Sequence, residues 1–300
     1  MAYSQGGIIE ATDYNTRATT VNNLWGVGSG SNGYGQSTTV SNVSVSGTVT
    51  ATNWATLIAR IDSMRQHQSA TTSGITQPSA GNTITFLNTL DTQLTTITTN
   101  KLATAARGTA LPTALGNPLQ TNDTDWQNTA TNEFYVSFSD GNTVRYFFNA
   151  GGLLTTFMQI DGGTALSNDW SSFMSSTVGT ITLGSNFCSR SGTGGDNLTE
   201  NTNIGYHNLT TSYQTLFNIG RVSGTADYGN NSIVIAARRD GDGSNLIYFR
   251  YSLTDAAANS FNDIVNGQRR VYVGYTPPGT TYLSNTWGTP TSTSVTNTQT

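Results

Sequence analysis

The chain has 300 residues, of which only 10% are charged, against about 25% in typical soluble domains, and its net charge is −4. Lys101 is its only lysine, so the sequence lacks the basic face with which nucleic-acid-binding proteins neutralise phosphates. An aromatic share of 10% argues against disorder, and 32 glycines among many Thr, Ser and Asn residues favour a β-rich architecture with many turns.

The sequence shows few signs of a membrane span, a secretory leader or disulfide bonds. No apolar run approaches the roughly 18 residues that a membrane-spanning helix needs, so we expect no membrane span. The first fifteen residues lack a basic region followed by an apolar one, which predicts that no secretory leader is present. Cys188 is the only cysteine, so no disulfide can form within the chain, and we expect a buried, unreactive thiol.

Residues 1–50 contain a Gly-rich run that includes G-x-G-x-x-G at Gly28, Gly30 and Gly33. A dinucleotide-binding loop needs a strand before these glycines and a helix after them. Here a polar, alternating run follows, with no helix start. We therefore interpret the match as accidental and predict that residues 1–50 form an extended arm.

Residues 51–106 show helical periodicity. Leu57, Ile58, Ile61 and Met64 continue from Trp54 along one helical face, which predicts a helix from a cap at Thr52 or Asn53 to about Gln68. A second helix is expected within 83–106, with apolar residues close to the 3.5-residue repeat of a coiled coil. These residues are Ile84, Leu87, Leu90, Leu94 and Ile97. The stripe either packs on the first helix or meets other copies of the chain as an oligomer interface.

Helical periodicity stops at 107–130, where Pro112, Gly116 and Pro118 indicate a linker. From residue 131 the pattern is that of strands. Two runs, Phe134–Ser139 and Thr143–Phe148, flank Asp140-Gly141, which is typical of a β-hairpin. Further predicted elements are strands at Leu153–Ile160 and Val178–Leu183, a short helix near Trp170, strand material before Ile219, a hairpin joining Ser232–Ala237 to Leu246–Leu253, and a strand at Arg270–Tyr275.

The sequence therefore predicts an α+β protein. Its parts are an extended N-terminal arm at 1–50, a two-helix, coiled-coil-like oligomerising segment at 51–106, a linker at 107–130, an all-β sandwich-like domain at 131–287 and a flexible tail at 288–300.

Groups that could carry chemistry are few. His67 and His207 lie near no recognisable nucleophile motif, and we interpret Cys188 and His207 as unrelated. The run from Asp240 to Ser244 resembles the first half of a calcium loop, but Tyr251 stands where that loop needs a glutamate. We interpret the run as a hairpin turn. The sequence thus predicts no catalytic residues, no cofactor and no metal ion.

Four segments together resemble virion structural proteins of tailed bacteriophages, particularly myoviruses of marine cyanobacteria. They are NNLWGVGSGSNGYGQS at 22–37, NWATLIARIDSMRQHQ at 53–68, FYVSFSDGNTVRYFFNAGG at 134–152, and YGNNSIVIAARRDGDG at 228–243 with the following IYFRYSLTD. The likeness spans most of residues 1–275, and RYFFNAGG is its most specific part.

The resemblance implies a non-enzymatic structural subunit of a phage tail, neck or fibre. Such a subunit is made and assembled in the host cytoplasm, is located in the virion and contacts other virion proteins. The expected state is a homo-oligomer, with a trimer as one option, and residues 1–50 would contact neighbours or dock to the particle. The alternative is an adhesin module of a tail fibre, whose exposed Tyr and Trp side chains stack on the rings of a host-surface glycan.

Overall fold

The computed structural model describes residues 9–111, 118–163, 165–221, 230–256 and 264–300. Pro112 and Gly116 of the predicted linker, the first eight residues of the predicted arm, and Tyr228 and Gly229 lie outside these ranges. The chain divides into two units, each built from separate stretches of sequence. The helical unit comprises Met1–Gly108, Asn142–Gly151 and Pro277–Trp287, and the β unit comprises Thr109–Gly141, Gly152–Thr276 and Gly288–Thr300.

The helical unit contains α1 at Ala11–Trp25, α2 at Ala51–Ser69, α3 at Leu87–Thr99 and, from Asn142 onward, α4 at Gly141–Asn149. The helix predicted from Trp54 is confirmed as α2, although it starts earlier than expected. Its N-cap is Thr50, whose hydroxyl accepts a hydrogen bond from the Asn53 backbone N–H at 3.2 Å. The Asn53 side chain accepts from the Thr50 N–H in return, at 2.9 Å.

The core of this unit is apolar and aromatic. Trp54 of α2 lies edge-on to Tyr14 of α1, with ring centroids 5.1 Å apart, and to Phe86 at 5.6 Å. Leu90 and Ile97 of α3 are completely buried, and α3 packs against both α1 and α2. Burial of each such side chain contributes about 1.5–3 kcal/mol, which offsets the poor helix propensity of the surrounding threonines.

The exposed side of α3 is covered by threonines that bond to their own helix. The hydroxyls of Thr92, Thr95, Thr96 and Thr98 each donate to the carbonyl oxygen four residues earlier, at distances of 2.7–3.0 Å. Thr16 and Thr20 do the same on α1. These donors are therefore satisfied within the helix, as is usual for Thr in a helix interior.

Two predictions for this unit are wrong. The arm predicted at 1–50 contains α1. Its buried residues Tyr14, Ala18 and Val21 follow helical spacing, but the Ala and Thr residues around them are intermediate in hydrophobicity and hide the pattern. The second half of the predicted hairpin, Thr143–Phe148, is part of α4. Every residue from Val144 to Asn149 is buried, so packing on all sides overrides the strand preference of this aromatic run.

The β unit contains two antiparallel sheets, with strand orders β1-β10-β3-β4-β5 and β11-β2-β9-β8-β7-β6. The strands are β1 Gln120–Asn122, β2 Thr129–Ser137, β3 Leu153–Asp161, β4 Ile181–Leu183, β5 Cys188–Arg190, β6 Asp196–Glu200, β7 Gln214–Gly220, β8 Ser232–Arg239, β9 Leu246–Thr254, β10 Gln268–Thr276 and β11 Thr291–Gln299. Helix α5, Ala165–Ser172, continues into a π-helical turn at Phe173–Val178, and a short 3₁₀ turn spans Tyr206–Asn208. The mixture of helices and antiparallel sheets confirms the predicted α+β class.

Strand alternation builds the interior of this unit. Phe134 of β2 stacks on Phe249 of β9, with ring centroids 5.5 Å apart, and both are buried. Tyr251 of β9 donates a hydrogen bond to the Thr156 hydroxyl of β3 at 3.4 Å, so the buried faces of the two sheets meet there. The hairpin predicted between Ser232 and Leu253 is confirmed as β8 and β9.

The predicted flexible tail at 288–300 instead forms β11, and the predicted linker at 107–130 includes β1 and the start of β2. Strand β11 pairs with β2 from Thr291 opposite Ser137 to Gln299 opposite Ala130. Its β-branched threonines suit a strand. The sequence did not indicate it because Ser294, Asn297 and Gln299 replace the apolar residues that usually reveal a buried strand face.

Candidate functional site

Parts of three sequence segments, 22–37, 53–68 and 134–152, meet in the helical unit. Tyr34 comes from the glycine loop after α1, His67 and Gln68 from the last turn of α2, and Asn149 and Ala150 from the end of α4. We call these five residues the junction. All five are buried, so the sequence segments contact one another through interior groups.

The junction is held by hydrogen bonds between groups that lie far apart in the sequence. Gln68 donates from Nε2 to the Tyr34 hydroxyl at 3.0 Å, and Asn149 donates from Nδ2 to the Gly33 carbonyl at 2.9 Å. His67 Nε2 lies 3.1 Å from the Ala150 carbonyl oxygen, which can only accept, so this nitrogen carries the proton. The Tyr34 and His67 rings meet edge-on, with centroids 5.5 Å apart.

The glycine loop requires glycine because it passes close to other backbone and to α4. Gly33 has φ +96°, and a Cβ there would lie 2.1 Å from the Val27 carbonyl oxygen. Gly35 has φ +72°, and a Cβ there would lie 2.4 Å from the Tyr146 ring. The G-x-G-x-x-G match thus follows a helix and packs on another helix, which is not the setting of a dinucleotide loop.

Burial determines the electrostatics of the junction. It lowers the pKa of His67 to about 4, with a smaller opposing effect from the hydrogen bond to Ala150 and a further lowering by the Arg107 charge. Burial likewise raises the pKa of Tyr34. Both side chains are therefore neutral at neutral pH. An open cleft of about 250 Å³ adjoins His67 and is lined by Gln66, Ala105 and the partly exposed Tyr282.

A second feature lies on the outward side of the six-stranded sheet of the β unit. We call Glu133, Tyr135, Arg238, Tyr248 and Arg250 the tyrosine–arginine face. Tyr248 is opposite both Tyr135 and Arg238 in the strand register, and Glu133 is opposite Arg250. The Tyr135 and Tyr248 rings are 5.4 Å apart, and the Arg238 guanidinium lies 3.7 Å from the Tyr248 ring centroid.

Charges and rings alternate along this face. The Tyr248 hydroxyl donates to Asp240 at 3.1 Å, and Asp240 also forms an ion pair with Arg238. Partial burial, followed by the Asp240 carboxylate, raises the pKa of Tyr248. Arg250 lies 4.1 Å from the Tyr213 ring centroid. Such half-buried rings with adjacent donors can stack on and hydrogen-bond to a ligand that has one apolar face.

The predicted oligomer stripe lies elsewhere. Leu87, Leu90, Leu94 and Ile97 are buried in the helical unit of their own chain, and Ile84, which precedes α3, is only partly exposed. Of the two alternatives for this stripe, the structure shows packing on helices of the same chain. The side chains of these four residues are consequently not available as a surface for a second copy.

The remaining predicted groups have structural partners. Asp240 and Asp242 lie in the turn between β8 and β9 and form ion pairs with Arg238 and Arg239. Cys188 is buried, as predicted. Its thiol donates to the Asn201 carbonyl at 3.3 Å, and burial, followed by the Glu200 charge, raises its pKa to about 11.

Within the described ranges, no three His, Cys, Asp or Glu residues are grouped so that they could hold a metal ion. Among the helices that the structure describes, none is both long and apolar enough to cross a bilayer. Comparisons with models of protein families, with curated proteins and with solved structures find no match.

Sequence reasoning missed both the junction and the tyrosine–arginine face. The junction consists of neutral residues that lie far apart in the sequence, with no spacing that would link them. The face had a detectable pattern, since Tyr135 in β2 and Tyr248 and Arg250 in β9 alternate with buried residues. Aromatic residues on the polar side of an alternating strand are therefore the pattern that could have revealed it.

Proposed function

We propose that this chain is a non-enzymatic structural subunit of a bacteriophage virion, a component of the tail, neck or fibre, that assembles as a homo-oligomer. The observation that carries the proposal is the junction. Three segments that resemble phage virion proteins contact one another there through Tyr34, His67, Gln68 and Asn149. The likeness therefore coincides with a packed scaffold.

The chemistry of the junction supports a structural role. A general base needs a pKa near the working pH and access to its substrate. His67 is buried and neutral, and its Nε2 is engaged with Ala150. In this proposal the junction fixes the end of α2 against the glycine loop and α4, and so gives the helical unit one defined shape for assembly.

The finer architecture belongs to the same proposal. The two sheets of the β unit act as a sandwich that presents outward faces and edge strands to neighbouring virion proteins. Residues 1–50 contribute α1 and the glycine loop to the helical unit, and this region docks the subunit to the particle. A trimer is one option for the subunit number.

The test uses phage that carries an epitope tag on this chain. We expect gradient-purified virions to contain the tagged chain in a fixed ratio to the major capsid protein, and cryo-electron microscopy to show its density on the tail, neck or fibres. An abundant non-structural phage protein, tagged in the same way, serves as the control for contamination. Purified particles that contain no tagged chain would contradict the proposal.

The tyrosine–arginine face supports a second candidate function, an adhesin module that binds a host-surface glycan. Tyr135 and Tyr248 offer ring faces beside Arg238 and Arg250, an arrangement suited to stacking on a sugar and donating to its hydroxyls. If so, Tyr135→Ala should weaken binding on a glycan array by about tenfold, equivalent to about 1.4 kcal/mol. Tyr272→Ala, on the other sheet, is the matched control. Unchanged binding by Tyr135→Ala would exclude this face.

A further inference from the structure

Strand β11 differs from every other long strand of the β unit because its inward contacts are polar. It is an edge strand that pairs only with β2, and its single apolar residue, Val295, is 47% exposed at a bulge in the register. Three of its polar side chains, Ser294, Asn297 and Gln299, form hydrogen bonds with groups of the unit. The strand is thus held by its backbone ladder and by hydrogen bonds.

A cluster of buried polar groups lies under β11. We call it the amide cluster: Gln120, Asn122 and Asn132, together with Arg269, which is completely buried. Arg269 donates from Nη2 to Gln299 Oε1 at 2.9 Å and to Asn297 Oδ1 at 3.2 Å. Among the described residues, its Nε and Nη1 have no hydrogen-bond acceptor. Burial lowers the pKa of Arg269 to about 10.

The amide cluster uses β11 for most of its remaining bonds. Asn122 donates to Gln299 Oε1 at 2.8 Å, and Asn132 donates to Asn297 Oδ1 at 3.1 Å. Gln120 donates to the Ser294 hydroxyl at 2.6 Å. An apolar strand in this place would leave a buried cation and buried amides without acceptors, which is strongly unfavourable. We call the edge of β2 that β11 occupies the slot. Because its buried donors need acceptors, the slot selects a strand with Asn at position 297 and Gln at position 299.

The link to β11 is short and begins with a glycine. Trp287 is the last residue assigned to the helical unit, and Gly288 is the first of the segment that carries β11. Gly288 has φ +66°, and no atom lies within 4 Å of where its Cβ would be. Only Thr289 and Pro290 separate it from the strand. Short connections of this kind favour exchange of a terminal element between copies.

We propose that β11 is an exchangeable strand, and that in the assembled homo-oligomer β11 of one copy occupies the slot beside β2 of a second copy. This inference rests on the homo-oligomer of the proposed function. A second copy is the occupant that fits best, because its strand supplies the same Asn297 and Gln299 acceptors to Arg269. Exchange replaces each contact between β11 and its own chain by the same contact with a second chain. Few bonds are therefore lost.

The experiment places one cysteine on each side of the β2–β11 pair, in different full-length chains. The Ser137 and Thr291 hydroxyl oxygens are 2.7 Å apart, so cysteines at these positions can form a disulfide with a bond length of about 2.0 Å. A Ser137→Cys chain and a Thr291→Cys chain with different affinity tags are co-expressed and oxidised mildly. We expect a disulfide-linked heterodimer that carries both tags.

Three controls accompany this experiment. The unmodified chain contains only the buried Cys188 and should give no cross-link. A chain with both Ser137→Cys and Thr291→Cys should give linked multimers if the strand is exchanged. Gln299→Leu added to the Thr291→Cys chain weakens the strand equally in its own slot and in the slot of a second copy, so the yield of heterodimer should be unchanged.

Strand exchange is overturned if the single-cysteine chains stay unlinked while the double variant closes a disulfide within one chain. Light scattering of the same samples then distinguishes the two proposals. An oligomer without the inter-chain disulfide would contradict exchange and leave the homo-oligomer intact, whereas a monomer would contradict both. A lower yield of heterodimer with Gln299→Leu would show that the strand makes different contacts in the two slots, which would contradict exchange.

Discussion

Arg17 of the helical unit and Arg269 of the β unit are both buried, and their charges are compensated in opposite ways. Arg17 of the helical unit forms two bonds of 2.8 Å to the carboxylate of Asp91, which is partly exposed. Arg269 of the β unit is completely buried, and its partners Asn297 and Gln299 are neutral amides. The two arginines therefore show two ways of accommodating a buried positive charge. The first pairs opposite charges near solvent, and the second makes a buried cation depend on one particular strand.

The comparison extends to the rest of each interior. The helical unit is organised by aromatic contacts such as Tyr14 with Trp54, and its buried His67 is neutral. The β unit combines the stacked Phe134 and Phe249 with the amide cluster. Apolar packing supplies most of the stability, whereas buried polar groups often contribute more to the choice of partner than to the free energy of unfolding.

The largest expected effect concerns the aromatic core. Trp54→Ala should lower the free energy of unfolding by about 3–5 kcal/mol, because it removes a buried ring that contacts both Tyr14 and Phe86. Chemical denaturation monitored by circular dichroism measures the change. Val45→Ala, at a side chain that is 84% exposed, should change it by less than about 0.5 kcal/mol. A cost below 1 kcal/mol for Trp54→Ala would contradict an apolar basis for this unit.

The second effect tests whether the helical unit tolerates a buried positive charge. The pKa of His67 is about 4 in the folded chain against 6.5 normally, so the unfolded chain takes up the proton first as pH falls. The contribution of His67 to stability is complete above pH 6.5 and is lost as pH falls toward 4, by about 3 kcal/mol in total. Urea titrations from pH 7 to 4 should show a shallower decline for His67→Gln.

Glutamine keeps an N–H donor for the Ala150 carbonyl, so the variant removes the titration and preserves the hydrogen bond. The same substitution at His207, the other histidine, should leave the His67-dependent decline in place. Equal slopes for the unmodified chain and His67→Gln would show that His67 does not limit acid stability.

The third effect concerns the β unit. Gln299→Leu should cost about 2 kcal/mol, because it removes the oxygen that accepts from both Arg269 and Asn122. In an Arg269→Met background the same substitution should cost less than about 1 kcal/mol, and a double-mutant cycle measures the difference. Thr298→Val, on the outward side of the same strand, is the control. An additive cycle would contradict the dependence of Arg269 on this strand.

The smallest effect returns to the helical unit. Asp91→Asn should cost about 0.5–1 kcal/mol, since Asp91 is partly exposed and water can take over part of its role. The cost should shrink in 1 M salt, where the screening length is about 3 Å. The Gln299→Leu cost should persist in the same buffer, because its partners are buried. Equal salt dependence of the two variants would remove the distinction between the arginines.

Part of the fold could be predicted because apolar and polar residues alternate clearly along those stretches of sequence. Helix α2 has large apolar residues at helical spacing in a polar background, and the β8–β9 hairpin has Asp-Gly between alternating strands. Helix α1 was missed because Ala18 is small and threonine suits either structure. Helix α4 was mistaken for a strand because its run of β-branched and aromatic residues favours strands, although Val144, Phe147 and Phe148 follow helical spacing.

The sites were harder to predict than the fold. Gln68, Asn149 and Gln299 are neutral amides, whose roles depend on partners 30 or more residues away. No spacing rule connects such residues. Arg145 illustrates the limit, because one of its partners lies 113 residues away in the sequence. The structure shows bonds to the Asn32 carbonyl at 2.9 Å and to the Asn142 side chain at 2.7 Å.

The threonines of α1 and α3 have a consequence for how this protein meets its neighbours. Their hydroxyls already donate to carbonyls of the same helix, which restricts the rotation of each side chain. Exposed lysines or glutamates would each lose up to about 2 kcal/mol of rotational freedom on contact. A threonine surface of this kind is partly ordered before any contact forms, so a partner can pack against it with little further loss of entropy.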